Sequence, residues 1–421
     1  MSLQDRCRYE GLDEAKINSL VSSASHCIEL SNSNLPKGKD SAGALKFSRL
    51  IGVGVASEFV GTDVESFEKL KQWLSHTNDY VMGYFSYDAK NMIENLSSQD
   101  EDKIGFEPFY FFVPETLIIE NEGNISVLTH AQNLNSQITE DAKQSGAESE
   151  LETISKEKYL ETVKSLQNHI QLGDIYEVNY CVQHKFENAL ISPHRLYTEL
   201  QVKSPAPFSC FVSHEGRNLM SSSPERFMKN ESGHLVSQPM KGTNRRMENN
   251  ELQKERLAAD TKERAENIMI TDLVRNDLSK SAKKGTVSVD ELCGVYEFKH
   301  VNQMISTVSA TLRDELHPLD ALLNAFPMGS MTGAPKIRAM ELIDQAEDFS
   351  RGLYSGSVGY FTPDLDFDFN VIIRSILYNA DKKVVTFPTG SAITINSDPE
   401  KEYEECMLKA EAMRNVIQNH A

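Results

Sequence analysis

Positive charge is scarce in this chain. Against 62 Asp and Glu it carries 43 Lys and Arg, a net charge of -19 over 421 residues, with no cluster of basic residues able to neutralise a phosphate backbone. Nucleic acid is thereby excluded as a partner class, and any anionic substrate must meet a local positive site. Cys-x-x-Cys spacing is missing among Cys7, Cys27, Cys181, Cys210, Cys293 and Cys406. Scattered thiols suit a reducing compartment better than a disulfide frame or a zinc site. No stretch approaches the 18 apolar residues of a membrane span, and residues 1–6 lack the apolar core of a signal peptide. The expectation is a soluble, cytoplasmic protein without membrane contact.

What remains is ordinary globular composition, 39% hydrophobic and 25% charged, enough for one large domain or two fused ones. Residues 132–152 are polar and aperiodic and read as a linker, so the chain divides into residues 1–150 and 151–421. Before that point, residues 50–55, 80–85 and 109–113 have strand character, and residues 66–75 and 88–96 are amphipathic helices. After it, residues 156–172, 250–282 and 318–325 read as helices and residues 178–186 and 209–212 as strands. Hairpin-like and helical connections alternate, which favours α+β layers over a doubly wound sheet.

Chemistry concentrates in a few segments. In Gln238-Pro239-Met240-Lys241-Gly242-Thr243, an apolar approach leads to an amine, then to a glycine that allows close backbone approach, then to a hydroxyl. Glu263 and Glu266, three residues apart, share a helix face and repel each other unless a cation intervenes. Ser397-Asp398-Pro399-Glu400 has the form of a capping box with proline in the first turn, followed by Glu402, Glu405 and Lys409 along one stripe. These acids are either a solvated surface with one Glu-to-Lys pair or two carboxylate pairs converging on a hard cation such as Mg²⁺. Phe326-Pro327-Met328-Gly329-Ser330-Met331-Thr332-Gly333-Ala334-Pro335-Lys336 is a glycine-rich turn feeding a helix. It lacks the Walker A ending; its amides could hold a carboxylate, or Thr332 could be a plain N-cap.

Together these segments resemble the chorismate-utilising enzymes, the family of anthranilate synthase component I and aminodeoxychorismate synthase component I. The likeness spans residues 155–421. It includes Gly173-Asp174-Ile175-Tyr176-Glu177-Val178-Asn179, Ser223-Pro224-Glu225-Arg226-Phe227, Arg351-Gly352-Leu353-Tyr354-Ser355-Gly356 and Asn370-Val371-Ile372-Ile373-Arg374. It implies a two-lobed α/β sandwich with the active site in the cleft, the first 150 residues contributing to both lobes. Carried over, Glu266 and Glu405 become direct Mg²⁺ ligands, with Glu263 and Glu402 holding metal-bound waters. Tyr354 and Arg374 grip a substrate carboxylate, Lys409 and Gly390 lie nearby, Ser330 and Thr243 are polar contacts, and Glu225 protonates the departing C4 hydroxyl of chorismate.

Lys241 separates members of the family. Aminodeoxychorismate enzymes resemble this chain in having lysine there, where anthranilate synthases have alanine; isochorismate and salicylate synthases use a lysine base where this chain has Glu177. The resemblance therefore implies lysine addition at C2, ammonia attack at C4, and 4-amino-4-deoxychorismate, a precursor of para-aminobenzoate and folate. Such a lysine is expected to be neutral at working pH. Departures from the family pattern are Gln303 in place of a histidine, with His300 an ordinary histidine nearby, and Ala392 in Gly390-Ser391-Ala392, whose methyl could crowd a carboxylate. Leu30-Ser31-Asn32 matches the tryptophan-binding signature poorly. No Gly-x-Cys-x-Gly elbow is present, so a separate glutamine amidotransferase is the expected ammonia source. The alternatives are anthranilate synthase component I and a catalytically silent subunit that activates an amidotransferase.

Overall fold

A computed structural model describes residues 2–9, 12–32, 47–94, 96–98, 100, 102–131, 146–147 and 151–419; nearly all of the expected linker at 132–152 lies outside the described residues. Two strands of 13 residues, Arg49–Gly61 and Phe109–Asn121, pair antiparallel along their whole length, from Arg49 opposite Glu120 to Gly61 opposite Phe109. A tight hairpin continues Phe109–Asn121 into Asn124–Thr129. Its two turn residues, Glu122 and Gly123, both have positive φ, which matches the twist of the flanking strands.

From this long pair the hydrogen-bonded ladder runs two ways. One way passes through His26–Ser31, Ser209–His214, Arg217–Ser221 and Ser375–Asn379. The other runs from Phe109–Asn121 through Val81–Phe85, Ser357–Phe361, Phe367–Asn370, Arg226–Glu231, His234–Gln238 and Val301–Thr311. All these pairings are antiparallel, as the α+β reading expects, and strands of the first 130 residues interleave with later ones. Phe85, Phe109, Phe111 and Phe369 are buried and in ring contact between these strands. Each contributes roughly 1.5–3 kcal/mol by leaving water.

A smaller three-stranded sheet carries Glu177–Val182 between Gly333–Ala334 and Thr389–Ile393. Helices Lys156–Leu172, Lys336–Ala346 and Pro399–Asn419 pack on it through Tyr159, Val163, Val178, Tyr180, Ile343 and Cys406. Gly333 has φ +152, and a Cβ there would stand 2.2 Å from the Glu177 carbonyl oxygen, so a side chain would push the glycine-rich turn off the strand.

Several element boundaries differ from expectation. The helix expected over 250–282 is two, Asn250–Ala259 and Thr261–Ser279; Asp260 breaks it by turning its carboxylate onto the Lys262 and Glu263 amides. Residues 88–96 give only a 3₁₀ turn, Tyr87–Ala89, and the short helix Lys90–Ile93. Residues 178–186 form two strands, Glu177–Val182 and Lys185–Phe186. The last helix begins at Pro399, and its cap is Asp398, which accepts the Glu400 N–H at 3.1 Å; the Ser397 hydroxyl instead accepts the Thr394 N–H. Thr332 is not a helix cap either: its hydroxyl donates to the Met328 carbonyl, and the next helix starts at Lys336. The six cysteines are free thiols, five of them buried. No described helix is long and apolar enough to cross a membrane.

Candidate active site

Lys241 sits on a β-bulge. Strand Met240–Arg245 pairs with Val301–Thr311, and the register jumps from Met240 opposite Ile305 to Thr243 opposite Gln303, so Lys241 and Gly242 together face Met304. Gly242 has φ +99, and a Cβ there would come within 3.2 Å of Glu263 Oε2 and of Met304. Three side chains fix the bulge. Gln303 donates to the Gly242 carbonyl at 3.0 Å and accepts the Thr243 hydroxyl at 2.8 Å. Asn267, wholly buried on the Thr261–Ser279 helix, donates to the Lys241 carbonyl at 3.0 Å and to the Met304 carbonyl at 3.3 Å. Thr243 is exposed, with its hydroxyl engaged by Gln303.

The Lys241 Nζ lies 3.3 Å from Glu177 Oε1, and its side chain is 22% exposed. Burial works to remove the ammonium proton, but the carboxylates of Glu177, Glu266 and Glu405 outweigh it and hold the pKa above the ordinary lysine value. The expectation of a neutral amine is therefore corrected: with these three acids charged, Lys241 is an ammonium.

Glu225 behaves in the opposite way. It follows the buried serines 221–223, with its amide on the Ser223 hydroxyl and its carbonyl on the Val371 amide. Burial pushes its pKa up to about 7, against the pull of the nearby Ser330 hydroxyl and the charges of Lys241 and Arg374. It borders a small pocket shared with Ser330, Gly329 and Val371. Arg374, at φ +51, is exposed. Its guanidinium makes no hydrogen bond or ion pair among the described residues and is available for an anion.

Lys262 lies within electrostatic reach of all four helix-borne acids. Lys262 has its pKa raised by Glu266, Glu402, Glu263 and Glu405 against the opposing effect of burial, and its Nζ lies 3.7 Å from Glu266. Burial raises the pKa of Glu263 and Glu266, and their carboxylate neighbours, including each other for Glu266, add to it. Glu402 is buried. Glu405 opposes its own partial burial through Lys409, which pairs with it at 2.7 Å and lowers its pKa. Among the described residues no three acids are gathered closely enough to hold an ion as they stand. The donor set nevertheless suits a hard cation: it is all carboxylate, comes from two helices, and is under mutual repulsion.

Lys409 also donates to the Gly390 carbonyl at 2.9 Å. Gly390 pairs with Cys181, and a Cβ on it would stand 2.6 Å from the Cys181 sulfur. Tyr354 is buried close to that same thiol. Gly390 and Ala392 alternate with the inward-facing Ser391 and so share the other face of their strand. His300 lies exposed just ahead of Val301–Thr311, away from these groups. Sequence reasoning missed Glu177 as the lysine's partner, Lys262 among the acids, and Asn267. The one available signal was a charged residue opening a strand rich in apolar residues, Glu177–Val182.

Residues 42–415 match the family described as chorismate binding enzyme. Among relatives, an aminodeoxychorismate synthase of Arabidopsis thaliana is 39% identical over 269 residues, 62% of this chain and 29% of that protein. This chain thus spans less than a third of that relative's length. An anthranilate synthase component 1 of Acetivibrio thermocellus is 31% identical over 403 residues, 87% of this chain and 79% of the relative. The crystal structure of anthranilate synthase component I from Streptococcus pneumoniae TIGR4 superposes with a TM-score of 0.76 at 23% identity, covering 90% of this chain and 95% of that one, which shows the fold. The chain belongs to the chorismate binding enzyme family.

Proposed function

We propose that this protein is an aminodeoxychorismate synthase component I, converting chorismate and ammonia to 4-amino-4-deoxychorismate. The observation that carries the reading is the opposition of Lys241 to a carboxylic acid, Glu225, whose pKa of about 7 leaves much of it protonated at neutral pH. In this reading the Lys241 amine, after giving its proton to Glu177, bonds to C2 of the ring. Both conjugated ring double bonds shift, C1=C2 to C1=C6 and C5=C6 to C4=C5, and the C4 hydroxyl leaves as water with the Glu225 proton. Ammonia then bonds to C4, both double bonds shift back, and the lysine nitrogen departs with its bonding pair. Arg374 orients a substrate carboxylate, with Tyr354 and the Gly390 backbone beside it; Ser330 is a polar contact beside Glu225, and Thr243 lines the approach.

Glu266 and Glu405 would hold a Mg²⁺ ion directly and Glu263 and Glu402 its waters; bound there, it would supply positive charge that anchors a substrate carboxylate and offsets the acids beside Lys241. A hard cation would have to displace the Lys262 ammonium, which suits a site loaded together with its anionic substrate. A separate glutamine amidotransferase is the proposed ammonia source, and a reducing, cytoplasmic setting fits six free thiols.

The test is incubation with chorismate, ammonium and Mg²⁺, with mass analysis of product and protein. The expected results are 4-amino-4-deoxychorismate and a lysine adduct on Lys241. Anthranilate with release of pyruvate would establish the second reading, anthranilate synthase component I, which relatives of that name favour. No turnover, with stimulation only of an amidotransferase, would make the chain a silent subunit.

A further inference from the structure

Apart from this site, a small polar pocket opens where Tyr87, Asp88, Ser98 and Asp100 meet the end of the Lys336–Ala346 helix. Its wall includes Tyr87, Asp88, Asp100, Asp344, Glu347 and Arg351. Two of the four carboxylates are matched internally: Asp344 by the buried Lys90 at 2.8 Å, and Glu347 by Arg351 at 2.6 Å. The other two are not. Asp88 accepts only neutral donors, the Ser350 hydroxyl at 2.6 Å and the Gly352 amide, and burial pushes its pKa up to about 6. Asp100 is exposed and makes no ion pair among the described residues.

A second, independent feature marks the pocket. The Tyr87 side chain is 1% exposed, and its hydroxyl has no hydrogen-bond partner among the described residues. The ring is fixed under the Arg351 guanidinium at 4.6 Å, and the hydroxyl feels the charges of Glu347 and Asp344 on the pocket wall. An unpartnered buried hydroxyl costs about 1–3 kcal/mol, which a ligand atom can recover.

We propose that this pocket binds a small primary ammonium, either ammonium itself or a short alkylamine, whose N–H groups donate to Asp88 and Asp100 and to the Tyr87 oxygen. Excess carboxylate rejects anions. A primary ammonium needs one charge and up to three acceptors, and the wall supplies these. The pocket is joined to the active site by hydrogen bonds: Arg351 donates to the Asn179 carbonyl at 2.9 Å and Glu347 accepts the Cys181 amide at 2.9 Å, both on the strand that begins with Glu177. The proposal stands whichever family reaction the protein performs.

The experiment is calorimetric titration of the full chain, without chorismate, using methylammonium chloride and, separately, tetramethylammonium chloride at matched ionic strength. Saturable binding is expected for the first salt and none for the second, which has no N–H. Asp88→Asn is expected to weaken methylammonium binding about tenfold, the scale of one charge-assisted hydrogen bond. Tyr87→Phe, which keeps the packed ring, is expected to weaken it about threefold. Asp100→Asn, at an exposed position that the fold does not depend on, keeps the test decisive if Asp88→Asn fails to fold. Equal heats for both salts, or binding unchanged in the Tyr87 and Asp100 variants, would overturn the proposal.

Discussion

Lys241 and Glu177 form an ion pair of 3.3 Å at the candidate active site, and this pair sets the protonation state of the lysine that defines the reading. The strand that supplies Glu177 is fixed by the glycine-rich turn at Gly333, and the strand that supplies Lys241 is bulged at Gly242. Two glycines in unusual backbone conformations thus bring one amine to one acid.

The first prediction concerns that pair. Glu177→Gln removes the foremost of the carboxylates that raise the Lys241 pKa, so burial gains weight and the pKa falls. Mass-spectrometric mapping of amine acylation against pH should show Lys241 reacting at lower pH in the variant than in the parent. An unchanged profile would mean that Glu177 does not hold the proton. Stability follows the same sign: a raised lysine pKa stabilises the fold below the unfolded value and loses that contribution as pH rises through the folded value. Glu177→Gln should therefore destabilise the protein at neutral pH and approach parity in strong alkali.

Glu225 gives the opposite pH dependence. Its pKa rises from 4.5 to about 7 on folding, so the folded protein binds the proton more tightly and loses stability as pH climbs from 4.5 to 7, with no further loss above that. Glu225→Gln should match the parent near pH 4 and, by urea titration at pH 8, exceed its stability by up to about 3 kcal/mol. The same variant should lose about 10²–10⁴-fold in turnover if Glu225 is the general acid. A variant less stable at pH 8 would contradict a strained, buried acid.

These acids also show what the sequence could carry. Local pattern marked Lys241 and the four helix acids, whereas Glu225 and Arg374 were marked by the family resemblance. Partners distant in the chain left no such pattern: Lys241 and Glu177 are 64 residues apart, and Asn267 reaches Met304 across 37. The lysine's charge state is a sum over three carboxylates from three elements, so it was misjudged while they were unplaced. The break at Asp260 was hidden for a different reason: no glycine or proline marks it, and an aspartate serves in a helix or as its cap according to its neighbours.

Lys241→Ala tests the covalent step itself. The variant should fold, with an unchanged far-ultraviolet circular dichroism spectrum and no more than about 3–5 kcal/mol lost from leaving Glu177 unpaired. It should form neither aminodeoxychorismate nor an adduct with saturating ammonium. Undiminished product formation would remove lysine from the reaction while leaving the family assignment intact.

Asn267 is predicted to hold the site in place without touching substrate. Its amide nitrogen joins the Thr261–Ser279 helix to the carbonyls of Lys241 and Met304, and its oxygen accepts the Ser306 hydroxyl at 2.5 Å. Replacing it by Ala removes hydrogen bonds from three groups and should cost about 2–4 kcal/mol in denaturant titration. Because Glu266 is the preceding residue, the change should also weaken Mg²⁺ binding, whereas Asn267→Gln should fail to rescue either property for want of space at a wholly buried position.

Cation loading supplies the last prediction. Burial and mutual repulsion raise the pKa of Glu263 and Glu266, so a bound divalent ion relieves both and stabilises the folded chain in proportion to the logarithm of its concentration above Kd. Thermal unfolding should move upward with Mg²⁺ and fall back with EDTA. Lys262→Met removes the ammonium that competes for the same four acids, and should therefore tighten Mg²⁺ binding measured by calorimetry in the absence of chorismate. Weaker binding in that variant would mean that Lys262 helps to arrange the acids and does not compete for them. Glu266→Gln should abolish the Mg²⁺-dependent shift while leaving the Lys409–Glu405 pair on the other helix in place.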